Sequence, residues 1–141
     1  MNTRSKFDKA FLHPKYWLLW LVLGVFWLIV QLPYPVLLQL GKLLGKLMYC
    51  FAKQRRHVAK RNLELCFPDW TEQERRRVLK ENFESSGIAF FEMGMSWWWS
   101  KKRLSKLLTI DGLEHLEAAQ KRGQGVILMA IHFTTLEIGA A

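Results

Sequence analysis

An unbroken apolar run, Val126 to Ile131, set off by Gly123 and Gly125 and ending at His132, constrains this chain more than any other feature. The run is short and partly β-branched, which predicts a buried strand of a parallel sheet. Two threonines, a leucine and Glu137 follow. Thr134 or Thr135 suits the cap of a new helix, and Glu137 then falls in its first turn, where the helix dipole favours a carboxylate. Upstream, Leu113 to Arg122 reads as a helix with Glu117 and Lys121 at i, i+4 and Gly123 at its C′ position. Thr109-Ile-Asp-Gly112 before it reads as a short extended piece and a turn. Helix, glycine, strand, histidine, helix is the order of an α/β unit, so the expected fold class is α/β.

That order places His132 at the carboxyl end of a strand, where open α/β sheets hold their ligands. Glu137 is near enough in sequence to reach the ring, and a carboxylate on one imidazole nitrogen leaves the other free as a general base. A lone His beside a lone Glu is more often structural; the strand end, the helix start and the glycine-rich flank favour catalysis here. A metal is not expected: one His and one Glu are too few ligands, and Cys50 and Cys66 are distant in sequence. No Gly-x-Ser-x-Gly elbow and no phosphate-binding glycine loop is present.

The amino-terminal half has a different character. Arg4, Lys6, Lys9 and Lys15 outweigh Asp8 in a basic arm, and Tyr16 to Leu32 then runs for 17 residues without a formal charge. As a helix this spans about 25 Å, with Trp17, Trp20 and Tyr34 near its ends as interface anchors, and it reads as a membrane anchor. A cleaved signal peptide and a soluble core helix are the alternatives; no A-x-A site follows, and the run is apolar all round. Leu32-Pro-Tyr-Pro35 breaks the helix. Val36 to Ala52 is a second helix whose Gln39, Lys42, Lys46 and Lys53 form one polar stripe, as in a helix lying in the membrane interface. Gly41 and Gly45 make a small-xxx-small pair that lets another helix approach, a weak motif that fits local packing.

Lys53, Arg55, Arg56, Lys60 and Arg61 put five positive charges in one segment, either a solvated face or a patch for lipid phosphates. Asn62-Leu-Glu-Leu-Cys-Phe-Pro68 ends that helix. Thr71-Glu-Gln-Glu74 is a capping box that starts a long helix to about Trp99, with Ile88, Phe91, Met95 and Trp98 on one face. Trp97, Trp98 and Trp99 followed by Lys101, Lys102 and Arg103 suit lipid headgroups, with ordinary packing as the alternative. The domain reading is a basic arm and membrane anchor over 1–35, then the amino-terminal part of an α/β domain over 36–141.

Composition narrows the partners. With 21 Lys+Arg against 12 Asp+Glu, a net charge of +9, half the residues apolar and seven tryptophans, a membrane surface or anionic lipid is favoured over nucleic acid. No nucleic-acid recognition motif is spaced here. Two cysteines outside any CxxC make no disulfide framework and point to a reducing compartment.

Four segments together resemble one family: His13-Pro-Lys-Tyr-Trp17, Gln31-Leu-Pro-Tyr-Pro35, Arg61-Asn-Leu-Glu-Leu-Cys-Phe-Pro68 and His132-Phe-Thr-Thr-Leu-Glu137. The chain resembles the amino-terminal part of the lipid A biosynthesis acyltransferases, Gram-negative enzymes that add secondary acyl chains to Kdo2-lipid A. It is most similar to the lauroyl/palmitoleoyl branch, departing from it at Ser96 and Trp98, where Ala and Phe are usual. The resemblance implies an acyl carrier protein as donor, a hydroxyl of a Kdo2-lipid A precursor as acceptor, and no cofactor. His132 would be the general base and Glu137 its orienting acid, while Lys53, Arg55, Arg56, Lys60 and Arg61 would face the acceptor's phosphates or the acidic carrier.

The same resemblance implies the cell inner membrane as location, with the catalytic part on the cytoplasmic side. It also implies a truncated arrangement: an amino-terminal membrane helix, then the first helices and first strand of an acyltransferase α/β domain. The 141 residues alone are expected to bind membranes without catalysing. A glycerolipid acyltransferase would share the His-x4-acid pair, but Asn62 to Pro68 argues against it. A non-catalytic membrane-bound fragment is the other rival.

Overall fold

Prolines and caps set the element boundaries in this computed structural model, which describes residues 9–127, 129, 134, 135 and 138. Two short 3₁₀ turns, Lys9–Leu12 and Pro14–Tyr16, lead into α1, Trp17–Val30. Pro33 disfavours helical geometry at Leu32 and precedes α2, Tyr34–Phe51, with Pro35 in its first turn. Ala52, at φ −83° and ψ 61°, ends α2 and opens α3, Lys53–Cys66. Phe67-Pro68 closes α3. The capping box then forms as the sequence predicts. The Glu74 amide donates to Thr71 Oγ1 at 3.2 Å, and the Thr71 amide donates to Glu74 Oε2 at 2.7 Å. It starts α4, Glu72–Trp98, whose 27 residues span about 40 Å. A single turn, α5 (Lys101–Leu104), and α6 (Leu113–Lys121) follow, and Gly123 at φ +66° takes the left-handed position expected after α6.

The long helix α4 is the spine, and α2 lies closest to it. The reason is glycine on both sides. A Cβ at Gly41 would stand 2.6 Å from the Ile88 Cα, one at Gly45 would meet the backbone of Phe83 and Glu84, and one at Gly87 would meet the backbone of Gly41 and Gly45. The small-xxx-small pair of α2 therefore does admit another helix, and α4 is that helix. Val30, Leu37, Phe91, Met95, Trp99, Leu104 and Ile138 form a buried core, which joins α1, α2, α4, α5 and Ile138. Each such side chain contributes about 1.5–3 kcal/mol by leaving water.

The α/β expectation is not met. Among the described residues every regular element is a helix, and no strand is present. Val126, Ile127 and Met129 are not paired in a sheet, and Ile127 and Met129 are more than nine-tenths exposed. A strand is held by hydrogen bonds from a neighbouring strand, and the described chain supplies none; Thr109 and Ile110 lie in irregular backbone. Leu128, Ala130 and Ile131, also in that predicted strand, lie outside the described residues.

The membrane helix is corrected too. Among the described residues no helix is long and apolar enough to cross a membrane. The apolar run is helical only over the 14 residues of α1, about 21 Å against a hydrocarbon core of ~30 Å. Its amino-terminal end is held in 3₁₀ turns and its carboxyl end stops before Pro33. Phe26 and Val30 pack on α4, while Trp17, Leu18, Leu21 and Leu28 remain exposed. The polar stripe is divided as well: Lys53 belongs to α3, and Lys46 reaches Glu84 of α4 at 4.0 Å.

Candidate functional site

Two clefts carry the chemically active side chains. The first is a cavity of 590 Å³ between α3 and the start of α4. Helical spacing builds one wall: Lys53, Arg56, His57 and Lys60 recur at i, i+3, i+4 and i+7 and share a face. Arg75 and Arg76, one turn into α4, complete it, with Tyr49 and Leu79 at the margin and Glu72 as its single carboxylate. Glu72 lies 3.4 Å from Lys60, 3.8 Å from Arg75 and 4.0 Å from Arg76. Five cationic side chains thus surround one acid, and the excess is positive. Arg56 is preorganised: it donates to the Tyr49 carbonyl at 2.6 Å and lies over that ring. Arg75 donates to the carbonyls of Phe67 and Pro68, at 3.2 and 3.3 Å, and its buried Nε has no hydrogen-bond partner.

The five cations predicted from sequence are not one patch. Lys53, Arg56 and Lys60 line this cavity; Arg55 lies on another face of α3, beside Val58, Asn62 and Ser86. Arg61 is taken up by Glu64 at 2.6 Å, and this guanidinium holds the Glu64 carboxyl below its ordinary range. His57, Arg75 and Arg76 belong to the cleft and escaped the sequence reading, although the spacing along α3 separates the two faces.

The second cleft, of 280 Å³, is lined by Tyr34, Glu92, Leu107, Leu108, Thr135 and Ile138. It borders the segment proposed from sequence to carry the chemistry. Thr134 and Thr135 form a turn, the Ile138 amide donates to the Thr135 carbonyl at 3.2 Å, and Ile138 is buried in the core. His132 and Glu137, on either side of that turn, lie outside the described residues. Glu92 escaped the sequence reading; it sits on α4 among the apolar residues of its core face and is 3 % exposed. The Tyr34 hydroxyl donates to Glu92 Oε1 at 3.1 Å, so this partly buried tyrosine is tied to α4. Burial pushes the Glu92 carboxyl up, against the opposing hydrogen bond from Tyr34. Burial, then the charge of Glu92, pushes the Tyr34 hydroxyl up.

The tryptophan cluster is redirected. Trp99 is buried in the core and Trp98 packs on Phe26, which leaves Trp97 as the exposed member. Arg103 binds the end of α1 through the carbonyls of Gln31 and Leu32, leaving Lys101 and Lys102 exposed beside it. Among the described residues no three His, Cys, Asp or Glu side chains are grouped to hold a metal ion. Cys50 and Cys66 are free and exposed.

Comparison with known proteins places the sequence. The family model described as bacterial lipid A biosynthesis acyltransferase matches residues 4–141. The chain is 50% identical over 140 residues to the lipid A biosynthesis lauroyltransferase of Escherichia coli (strain K12), covering 99% of this chain and 46% of that protein. It is 47% identical over 139 residues to the palmitoleoyltransferase of the same strain, covering 99% and 45%. Identity to that strain's myristoyltransferase is lower, 31% over 139 residues, covering 96% and 42%. The chain thus spans a little under half the length of these relatives. No solved structure matches it.

Proposed function

Because the chain belongs to the bacterial lipid A biosynthesis acyltransferase family, we propose that the whole protein transfers a fatty acyl chain to a hydroxyl of a lipid A precursor, with an acyl carrier protein as donor. The observation that carries this reading is the match over residues 4–141 together with His132-Phe-Thr-Thr-Leu-Glu137 inside it. The chemistry needs no nucleophilic side chain. The acceptor hydroxyl oxygen attacks the thioester carbonyl carbon while His132 takes its proton. The C–S bond breaks, an ester forms, and His132 returns the proton to the departing thiolate. Glu137 holds the ring in the required tautomer and offsets the charge of the imidazolium.

The α3–α4 cleft supports the acceptor side of this reading. Lys53, Arg56, Lys60, Arg75 and Arg76 present several donors within one cavity, as phosphate groups require. The location that follows is the inner membrane, approached from the cytoplasmic side, with the exposed apolar face of α1 against the lipid and the carrier protein in the cytoplasm.

The test is an assay in the complete protein, with an acyl carrier protein as donor and a lipid A precursor as acceptor. His132→Ala should lose about 10²–10⁴-fold in turnover, and Glu137→Gln most of the activity, with both variants folded. Near-normal transfer by either variant would rule out the assignment.

A further inference from the structure

We infer that the groove on the other face of α3 holds a sugar ring of the acceptor, with Arg55 pairing to an acidic group on that ring. The inference rests on the acceptor being a glycolipid, as proposed above. The groove, of 590 Å³, lies between α3 and the middle of α4. Arg55, Val58 and Asn62, at i, i+3 and i+7, share one face of α3 and form one wall. Asn82 and Ser86, at i and i+4 on α4, form the other. The cationic cleft of Lys53, Arg56 and Lys60 lies on the opposite face of α3, so the helix separates two sites.

Their chemistry differs. The cationic cleft offers mainly donors, whereas the groove offers the side-chain amides of Gln54, Asn62 and Asn82, each both donor and acceptor. A phosphate oxygen only accepts, and an amide carbonyl repels it. A sugar hydroxyl donates and accepts, so one amide can serve two neighbouring hydroxyls through its oxygen and its nitrogen. Met48, Val58 and Phe83 add apolar surface between the amides, which suits the C–H face of a pyranose ring. The Ser86 hydroxyl donates to the Asn82 carbonyl at 2.9 Å and keeps its lone pairs as acceptors. Among the described residues, the side chains of Gln54, Arg55, Asn62 and Asn82 bond to no other protein group, and no carboxylate lines the groove. The Arg55 guanidinium is therefore open to a carboxylate or phosphate carried by the sugar. Local structure does not account for the two asparagines. Both stand inside helices and away from the caps, where asparagine is a poor helix former.

The experiment uses the complete protein in an amine-oxide detergent, which carries neither sugar nor phosphate. Calorimetry measures binding of dodecyl glucuronide, dodecyl glucoside and dodecyl phosphate. The parent should bind the glucuronide about tenfold more tightly than the glucoside, because a charged hydrogen bond adds to the neutral ones. Asn62→Ala and Asn82→Ala should each weaken both sugars about three- to tenfold and spare the phosphate. Arg55→Gln should reduce the glucuronide to the level of the glucoside. Lys53→Gln is the reference for the cationic cleft and should weaken only the phosphate. Alanine is the better helix former at both asparagine positions, so these variants should stay folded, which helical circular dichroism checks. Parental sugar binding in both asparagine variants overturns the inference, as does a parent that binds neither sugar. Equal loss of sugars and phosphate in the asparagine variants overturns it too, and so does loss of the sugars in Lys53→Gln.

Acyl transfer then tests the source of the sugar. Arg55→Gln combined with Asn62→Ala should raise the KM for a lipid A precursor about tenfold or more, with kcat and the KM for the carrier protein unchanged. An unchanged acceptor KM overturns the assignment to the acceptor. A parent that binds the sugars but acylates no lipid A precursor removes the proposed function. An active parent whose asparagine variants bind sugars as it does removes only the sugar site.

Discussion

The guanidinium of Arg103 lies over the ring of Trp99, 3.4 Å from its centre, and together the two side chains close the end of a helix some seventy residues earlier. The Trp99 indole N–H donates to the Val30 carbonyl at 2.7 Å. Arg103 Nη2 donates to the Gln31 and Leu32 carbonyls at 2.9 and 2.8 Å. These are carbonyls that the end of α1 leaves without helical partners, and a cation there also suits the helix dipole. The pair thereby fixes the elbow between α1 and α2 on the core.

Trp99→Phe keeps most of the buried surface but leaves the Val30 carbonyl without its donor. It should cost about 1–3 kcal/mol in denaturant unfolding. Arg103→Lys keeps the charge and loses the planar fork, so its unfolding midpoint should lie between those of Trp99→Phe and the parent. A Trp99→Phe protein as stable as the parent would mean that this hydrogen bond adds nothing.

Gly87→Ala should be among the most damaging single-methyl additions in the chain. The new Cβ meets backbone of α2 that has no rotamer to change, and overpacking of this kind costs about 1–3 kcal/mol or more. Gly24→Ala is the control: nothing lies within 4 Å of its added Cβ, so helix propensity alone acts and should stabilise by about 1 kcal/mol. Melting both variants side by side checks the sign of each.

Acid should release the cap of α4. Hydrogen bonds from the Thr71 amide and then its hydroxyl hold the Glu74 carboxyl below its ordinary value of 4.5. The folded value is thus lower than the unfolded one. The cap's contribution is present in full above the unfolded value and is lost as pH falls through the depressed folded value. Glu74→Gln should therefore be less stable than the parent at pH 7 and converge with it in acid, as followed by helical circular dichroism.

Charge reversal should divide the basic residues by the face they occupy. In the complete protein, Lys53→Glu and Arg76→Glu should raise KM for a phosphate-bearing acceptor, and the effect should shrink at high salt. Arg61→Glu, whose parent side chain is engaged with Glu64, should change KM little. If instead the KM for the acyl carrier protein alone rises, the cleft receives the acidic donor.

The exposed face of α1 should hold the protein to membranes through a high-salt wash. Leu18, Leu21 and Leu28 are each more than half exposed and recur at helical spacing. Changing all three to Glu should move the protein to the soluble fraction after that wash, with its helical spectrum retained. Persistent membrane retention would place the attachment elsewhere.

The sequence by itself determined most of the helices to within a few residues of their ends, because those depend on close neighbours, although α1 stops at Val30, α2 starts at Tyr34 and the single turn α5 was not evident in it. Pro33 divides α1 from α2 and Pro35 sits in the first turn of α2, Thr71 and Glu74 start α4, and Gly123 takes the left-handed turn after α6. It also carried the family, since Asn62 to Pro68 and His132 to Glu137 are local patterns. What pairing decides was not legible. Val126 to Ile131 is as apolar as a buried strand, yet strand formation depends on a second strand, and among the described residues none is offered. Apolar content likewise suggested that α1 spans a membrane, whereas its 14 residues and its packing through Phe26 and Val30 on α4 are tertiary facts. Only the fold brought Arg75 and Arg76 to Lys53, Arg56 and Lys60, and only the fold set Glu92 against Tyr34, 58 residues away. Helical spacing relates residues within a helix; contact between helices is settled by which faces bury each other, and here Gly41, Gly45 and Gly87 settle it by admitting backbone against backbone.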